Sequence, residues 1–237
     1  MNHQNPLHQF LSRADHLAIA LDVQRALTTW DNEQAGKFSS PVNEVFSNPE
    51  NIIIARAIIQ HIKPIKNRLL LEFGAALHQR LAHLLANSPY QDSWHLRREY
   101  MTKKWTQPYA GSALFPKLKQ AESPYLYILI QRNPNKINFG ISRSEDRRQR
   151  PVIWDSSLTK ELETYLIGQG FTRHTWWLGI KQLYDMNEDE LWLAAASNLH
   201  SLVVKSADKV WHLLVENYEL LTKMNEALAQ TYLKQTV

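Results

Sequence analysis

The chain has 237 residues, of which 44% are hydrophobic and 21% are charged, as expected for a globular protein long enough to build its own core. It contains no cysteine, which excludes disulfides and thiolate metal sites. No apolar run approaches the roughly 18 residues of a membrane span, and residues 1–30 lack the uninterrupted apolar segment of a secretory signal. We therefore expect a cytoplasmic protein that does not bind membranes.

Helices are predicted for the first part of the chain. Residues 12–29 favour a helix, and the polar residues 31–48 predict a connecting loop. Asn48 before Pro49 favours a new helix start, because Asn caps free N–H groups and Pro suits the first helical position. Pro64 should kink or end that helix, since it lacks an N–H and clashes with the preceding turn. A second helix should then follow.

The hydrophobic period changes in the middle of the chain. Residues 90–123 are aromatic, basic and interrupted by prolines, and they predict no regular element. Residues 125–130 and 137–141 predict two strands joined by a turn. Further strands are predicted at 152–154 and 175–180.

Helices return in the last third. Residues 157–166 predict a helix closed by Gly168 or Gly170 in a left-handed conformation. From Asn187 almost to the end the pattern is helical, and we expect a break near 205–208 because one straight helix would be very long.

These elements predict an α+β protein with N-terminal helices, a small central antiparallel sheet and a long C-terminal helical segment. Residues 1–89 would form a helical N-terminal part, and residues 90–237 an α+β part with a basic middle. The two parts could also form one continuous domain.

Charge is distributed unevenly along the chain. Residues 94–150 carry twelve Lys and Arg against four Asp and Glu, whereas residues 185–237 carry four against eight. Such asymmetry predicts an anionic partner for the basic middle, or docking of the acidic tail onto it.

Motifs for cofactor and metal chemistry are missing from the sequence. The seven glycines form neither a G-x-x-x-x-G-K nor a G-x-G-x-x-G arrangement, and no histidine pair has the four-residue helical spacing of a zinc site. No Asp or Glu is followed two positions later by Lys, the pattern of a magnesium-dependent nuclease strand. We expect no cofactor, no metal and no catalytic residue.

Three short motifs carry a resemblance to a known family. Residues 137–141 read Ile-Asn-Phe-Gly-Ile, residues 176–179 read Trp-Trp-Leu-Gly, and residues 188–192 form an acidic segment ending in Trp. Their order is similar to that in the C-terminal part of bacterial defence-type proteins of the PD-(D/E)XK nuclease superfamily. That superfamily's catalytic carboxylates and lysine have no counterpart here. The resemblance therefore implies an inactivated or truncated relative, or a partner of an active nuclease.

Two basic segments flank the predicted strand pair. Residues 94–105 interleave aromatic and basic side chains, and residues 143–150 contain four arginines. Aromatic rings such as that of Tyr100 can stack on unpaired bases, and cations neutralise phosphates. If both segments flank the sheet, they form one basic face that binds nucleic acid, with DNA and RNA both open. The predicted site consists of Arg97, Arg98, Lys103, Lys104, Trp105, Arg143, Arg147, Arg148 and Arg150.

Other interpretations compete with this one. The charges can be ordinary solvated side chains, with Trp94 and Trp105 in the core. The C-terminal helices, which carry Trp192 and Trp211, can bind a protein partner or a second copy of the chain. An atypical metal-dependent nuclease is the third possibility; Asp155 is its best isolated ligand, although an N-cap of the next helix is the favoured role of that residue.

Overall fold

A computed structural model describes residues 14–36, 45–46, 48–99, 104–118, 125–144 and 156–236. In this part of the chain the helices are α1 (Ala14–Gly36), α2 (Pro49–Ala86), α3 (Ser157–Gly168) and α4 (Asp189–Thr236). The strands are β1 (Trp94–Glu99), β2 (Gly111–Pro116), β3 (Leu126–Arg132), β4 (Lys136–Arg143), β5 (Thr172–His174) and β6 (Trp177–Asp185). Helices and one antiparallel sheet confirm the predicted α+β class.

The chain divides into two compact units. The described residues of the first lie within Met1–Phe73 and Glu188–Leu199, and those of the second within Gly74–Asn187 and His200–Val237. All six strands belong to the second unit.

The first unit is helical. Its core contains Leu17, Leu21, Ile62, Ile65, Leu69 and Trp192, each 3% exposed or less. The guanidinium of Arg25 donates to the carboxylates of Asp22 and Asp189. The ammonium of Lys66 lies 4.9 Å from the ring centroid of Trp192. Burial lowers the pKa of Lys66, and the negative charge of Asp189 partly opposes that effect.

A six-stranded antiparallel sheet in the order β1-β2-β3-β4-β6-β5 forms the centre of the second unit. Strand β3 is buried along nearly its whole length, and Ile128 and Ile130 are fully inaccessible. Burying a side chain of this size stabilises the fold by about 1.5–3 kcal/mol. The sheet therefore has apolar side chains on both of its faces near the middle.

Helices cover one face of this sheet, and polar contacts fix their positions. The amide of Asn225 in α4 accepts from the Leu126 N–H at 2.7 Å and donates to the Leu126 carbonyl at 3.1 Å. On α2, Nδ1 of His78 lies 3.1 Å from Oγ of Ser112. The side chain of Ser112 contacts α2, so it marks the helix-covered face. Ser112 is opposite Ile130, and because side chains alternate along a strand, Leu126 shares this face while Ala113 and Phe115 point the other way.

The strand pair predicted in the middle is confirmed, and its turn is closed by a bond from the Asn133 N–H to the Lys136 carbonyl at 2.7 Å. Strands β1 and β2 were not predicted. In β1 the apolar Trp94 and Leu96 alternate with polar residues, while β2 contains residues typical of loops. Pairing with β3 overrides that local preference. The strand predicted at 152–154 lies outside the described residues.

Pro64 was expected to kink or end the helix, and it does not end it, because α2 continues through it. Ile62 and Ile65 on either side are 3% and 0% exposed, and their burial outweighs the lost hydrogen bond. The break expected in the C-terminal helix is present, but it lies at Asn198 rather than at 205–208. The non-helical residue of α4 is Asn198, and Ser206 is held within the helix by a 2.6 Å bond to the Leu202 carbonyl.

The ends of the shorter helices follow local chemistry. Asn48 caps α2 as predicted, its Oδ1 accepting from the Glu50 N–H at 3.0 Å. Helix α1 extends to Gly36, into the region predicted as a loop. Ser156 rather than Asp155 caps α3, accepting from the Thr159 N–H at 3.1 Å. After α3, Gly170 has a φ of 78°, the left-handed conformation that its sequence position predicts.

Candidate nucleic-acid interface

Arg97, on the outermost strand β1, is an exposed cation that lies against an aromatic ring of the neighbouring strand. Its guanidinium carbon is 4.2 Å from the ring centroid of Phe115. In the register of β1 and β2, Arg97 is opposite Ala113 and His95 is opposite Phe115, so these four side chains share one face. This is the face opposite to the helix-covered one. A contact of this kind contributes about 0.5–1 kcal/mol at an exposed site.

Stacked rings support this arginine. Phe115 lies between His95, whose ring is 5.7 Å away at an interplanar angle of 21°, and Tyr127, whose ring is 4.7 Å away at 17°. Tyr125 contacts Phe115 and Tyr127 edge-on. Phe115 and Tyr127 are 6% and 9% exposed, so close packing fixes their orientation. We call His95, Arg97, Phe115, Lys117 and Tyr127 the cation–aromatic cluster.

Two exposed cations lower the pKa of the imidazole in this cluster. Burial lowers the pKa of His95, and the positive charges of Arg97 and then of Lys117 lower it further. Lys117 follows β2, and its ammonium donates to the Gln91 carbonyl at 2.8 Å. Positive potential is therefore concentrated on the part of the sheet face that the predicted residue Arg97 occupies.

Lys104 and Trp105, both predicted site residues, occupy different environments. Lys104 is exposed, and its backbone N–H donates to the side chain of Gln107 at 3.2 Å. Trp105 is only 7% exposed and packs against Gly74 of α2. A Cβ at position 74 would lie 2.1 Å from Cδ1 of the indole, so only glycine admits this contact. The indole of Trp105 is thus a core group that is not available to stack on a base, whereas Lys104 can reach a phosphate.

Arg143, the first residue of the second basic segment, is buried. Its side chain is 5% exposed, and one amino group donates to the carbonyls of His174, Thr175 and Trp177 at 3.2–3.3 Å. The other donates to Glu163 at 3.2 Å. Burial lowers the pKa of Arg143, an effect opposed by Glu163. This arginine holds the sheet and α3 together and does not belong to the exposed cations.

Several predicted site residues are not among those that the structure describes. Arg98 lies in β1, but its side chain is outside the described set. Lys103 and three arginines of the second basic segment also lie outside it, as do Tyr100 and Asp155. The three arginines are Arg147, Arg148 and Arg150. Their convergence with the cation–aromatic cluster stays a prediction.

Sequence reasoning did not select His95, Phe115, Lys117 or Tyr127. The missed signal is the alternation within β1, where Trp94 and Leu96 are apolar while His95 and Arg97 are polar. Had β1 been recognised as a strand, His95 and Arg97 would have been placed on one face. Their aromatic neighbours come from β2 and β3, and that pairing follows from tertiary structure rather than from spacing.

The C-terminal apolar stripe, on which the protein-partner interpretation depends, is mostly buried within the fold. Trp192, Val203, Val210, Leu214, Leu221 and Leu228 are each 4% exposed or less. Trp211 is half-buried, with its ring centroid 6.0 Å from that of Tyr90. These side chains are occupied in packing within the chain.

Neither a metal-binding cluster nor a membrane-spanning helix occurs among the described residues. No group of three His, Asp or Glu side chains in these ranges is placed to hold a metal ion. Among the same residues, no helix combines the length and apolarity that crossing a membrane requires.

Comparisons with protein-family models, curated proteins and solved structures find no match to this chain.

Proposed function

We propose that this chain binds nucleic acid through the cation–aromatic cluster, acting as a binding protein rather than a nuclease. The observation that carries the proposal is the convergence of two exposed cations, Arg97 of β1 and Lys117 just after β2, on one imidazole beside a stacked aromatic row. Phosphates are attracted to such a concentration of positive charge, and aromatic and guanidinium planes contact bases. A nuclease is less well supported, because the sequence lacks the acidic-x-Lys pattern.

The basic middle of the sequence extends this surface in the proposal. Lys104 is exposed on the segment that leads into β2, and Arg98 is next to Arg97 in β1. Arg147, Arg148 and Arg150 remain part of the proposed surface on sequence grounds. A place in a bacterial defence or DNA-processing assembly, which the superfamily resemblance implies, belongs to the same proposal.

Salt titration tests the proposal. Binding of labelled DNA and RNA oligonucleotides should weaken linearly on a log–log plot against salt concentration, with a slope of about −0.7 to −0.9 per neutralised phosphate. Arg97→Glu combined with Lys117→Glu should lower affinity strongly and reduce that slope. A second pair, Arg147→Glu with Arg148→Glu, measures the contribution of the other basic segment.

Lys160→Glu with Lys205→Glu is the matched control, because both lysines are exposed on helices. It makes the same change in net charge at sites away from the cation–aromatic cluster. Binding that does not respond to salt, or that the control pair weakens as much as the Arg97 and Lys117 pair, contradicts the proposed surface.

A further inference from the structure

We propose that the guanidinium of Arg97, held over the ring of Phe115, is a stacking platform for an unpaired nucleobase, so that the ligand is single-stranded nucleic acid. This inference rests on the proposed function and specifies which form of nucleic acid the cation–aromatic cluster takes.

Arg97 is covered by a ring on one side and is otherwise exposed. Its guanidinium carbon is 4.2 Å from the Phe115 centroid, which is a stacking distance, so Phe115 occupies one side of the cation. The side chain is exposed, so the part of the guanidinium that Phe115 does not cover is accessible to a ligand. A flat, delocalised and weakly hydrated cation in this position accepts a second planar group more readily than an ammonium does.

The support beneath Arg97 is fixed before any ligand binds. Phe115 is 6% exposed and is stacked between His95 and Tyr127, at centroid distances of 5.7 and 4.7 Å. The strand register places His95 directly opposite Phe115. A side chain that already lies against a rigid surface loses less conformational entropy when a ligand binds, so the stack is preorganised.

A stacking platform of this kind favours an unpaired base over a duplex. Within a duplex the base faces are covered by neighbouring base pairs, and a protein reaches only the edges and the phosphates. In a single strand the base can turn outward and stack on an aromatic or guanidinium plane. Lys117 is close enough to act on His95, and it supplies an exposed charge for the adjoining phosphate.

The test separates stacking from charge. Wild-type protein and the variants Arg97→Lys and Lys117→Arg are titrated with a labelled twelve-nucleotide single-stranded DNA, the same sequence in RNA, and the corresponding DNA duplex. We expect single strands to bind more tightly than the duplex. Arg97→Lys should weaken single-strand binding about tenfold, because it keeps the charge but loses the plane. The salt slope should stay the same, and Lys117→Arg should bind like wild type.

A base analogue provides a direct readout. Fluorescence of 2-aminopurine in the single strand should be quenched on binding to wild-type protein and less quenched by Arg97→Lys. Because Arg97 is exposed, this variant should fold normally, and circular dichroism checks that it does. Phe115→Leu, which removes the supporting ring, should weaken single-strand binding in the same way.

The outcomes distinguish the two proposals. Equal or tighter binding of the duplex, with no effect of Arg97→Lys, would overturn the stacking platform and leave the proposed function intact. Failure to bind any of the three oligonucleotides at low salt would overturn both. Binding of either single strand that is weakened in Arg97→Lys supports the inference. Comparison of the two single strands shows whether DNA or RNA is preferred.

Discussion

Arg97 and Arg143 lie on the same sheet and came from the two basic segments of the sequence, yet their environments are opposite. Arg97 is exposed on the edge strand β1 and rests on an aromatic ring. Arg143 ends the interior strand β4, is 5% exposed and is surrounded by carbonyls and by Glu163. Arg97 is accessible to an anionic ligand, whereas the hydrogen-bond donors of Arg143 are already used within the fold.

Strand parity and the covering elements produce this difference. Arg143 is opposite Leu126, which shares a face with Ile130, and Ile130 is opposite Ser112, the side-chain partner of His78 in α2. Arg143 therefore lies on the helix-covered face. Arg97 is opposite Ala113, on the other face. A positive charge in the sequence therefore predicts a binding group only when its position in a strand and the elements that cover that strand are known.

Removal of Arg143 should have the largest effect. Arg143→Met breaks the ion pair and leaves Glu163, whose side chain is 15% exposed, with Arg173 at 3.4 Å as its remaining ion-pair partner among the described residues. We expect the free energy of unfolding to fall by about 3–5 kcal/mol, as for other buried pairs that lose one partner. Chemical denaturation measures the change. Arg97→Met is the control and should lower stability by only about 0.5–1 kcal/mol, the contribution of the contact with Phe115 that it loses.

Similar losses for the two arginine variants would show that the distinction between a structural and an exposed arginine is wrong. Arg143→Lys sharpens the result, because it keeps the charge but cannot form the same forked set of hydrogen bonds. It should be intermediate between wild type and Arg143→Met.

A smaller effect is expected from the acidic partner. Glu163→Gln keeps the shape of the side chain but removes the negative charge, which opposes the lowering of the Arg143 pKa by burial. Loss of a charged hydrogen-bond partner should cost about 1.5–3 kcal/mol. Denaturation midpoints of Glu163→Gln and of Glu161→Gln, an exposed neighbour on the same helix, measure the difference. Equal midpoints would mean that the carbonyls alone satisfy Arg143.

The sequence predicted the parts of this architecture that depend on local chemistry. The Asn48 cap, the turn at Asn133 and the left-handed Gly170 follow from neighbouring residues, and all three are present. Trp105 shows the limit of such reasoning. Its burial depends on Gly74, 31 positions earlier, because only a residue without a side chain leaves room for the indole. Spacing within 94–105 contains no information about that contact.

The candidate site was predictable to a similar extent. Arg97 and Lys104 were selected from the basic composition and are exposed. The role of Arg143 required knowledge of where α3 places Glu163, twenty positions later, and the support of Arg97 required the register of β1 with β2. Long-range pairing of this kind is set by burial of the whole sheet, and it overrides local preference in β2 in particular.

The positive charges of Arg97 and Lys117 should be visible in the titration of His95. Arg97→Gln combined with Lys117→Gln should raise the pKa of His95 toward its ordinary value of 6.5, although burial, the largest cause of the shift, still keeps it lower. Because the folded pKa lies below the unfolded one, the stability contributed by neutral His95 is full above the unfolded value and is lost as pH falls. The variant should therefore lose less stability on acidification.

Imidazole NMR titration measures this shift. Lys104→Gln removes an exposed charge that is not among the causes acting on His95 and is the control. An unchanged imidazole pKa in the double variant would mean that Arg97 and Lys117 do not concentrate positive potential at this point.

Arg132 is a third arginine of the sheet, at the end of β3, and should show the smallest effect. Burial lowers the pKa of its side chain, and its Nε and Nη1 are buried without a hydrogen-bond partner in the part of the chain that the structure describes. Arg132 as a whole is half-buried, whereas Arg143 is buried and its donors are satisfied. We expect that hydrogen-bond partners, rather than burial, determine what an arginine contributes to stability. Arg132→Met should then leave the free energy of unfolding within about 0.5 kcal/mol of wild type, or increase it. The reason is that an apolar side chain of similar length replaces an uncompensated cation. Chemical denaturation beside Arg143→Met measures both, and a loss at Arg132 as large as that at Arg143 would show that burial alone sets the cost.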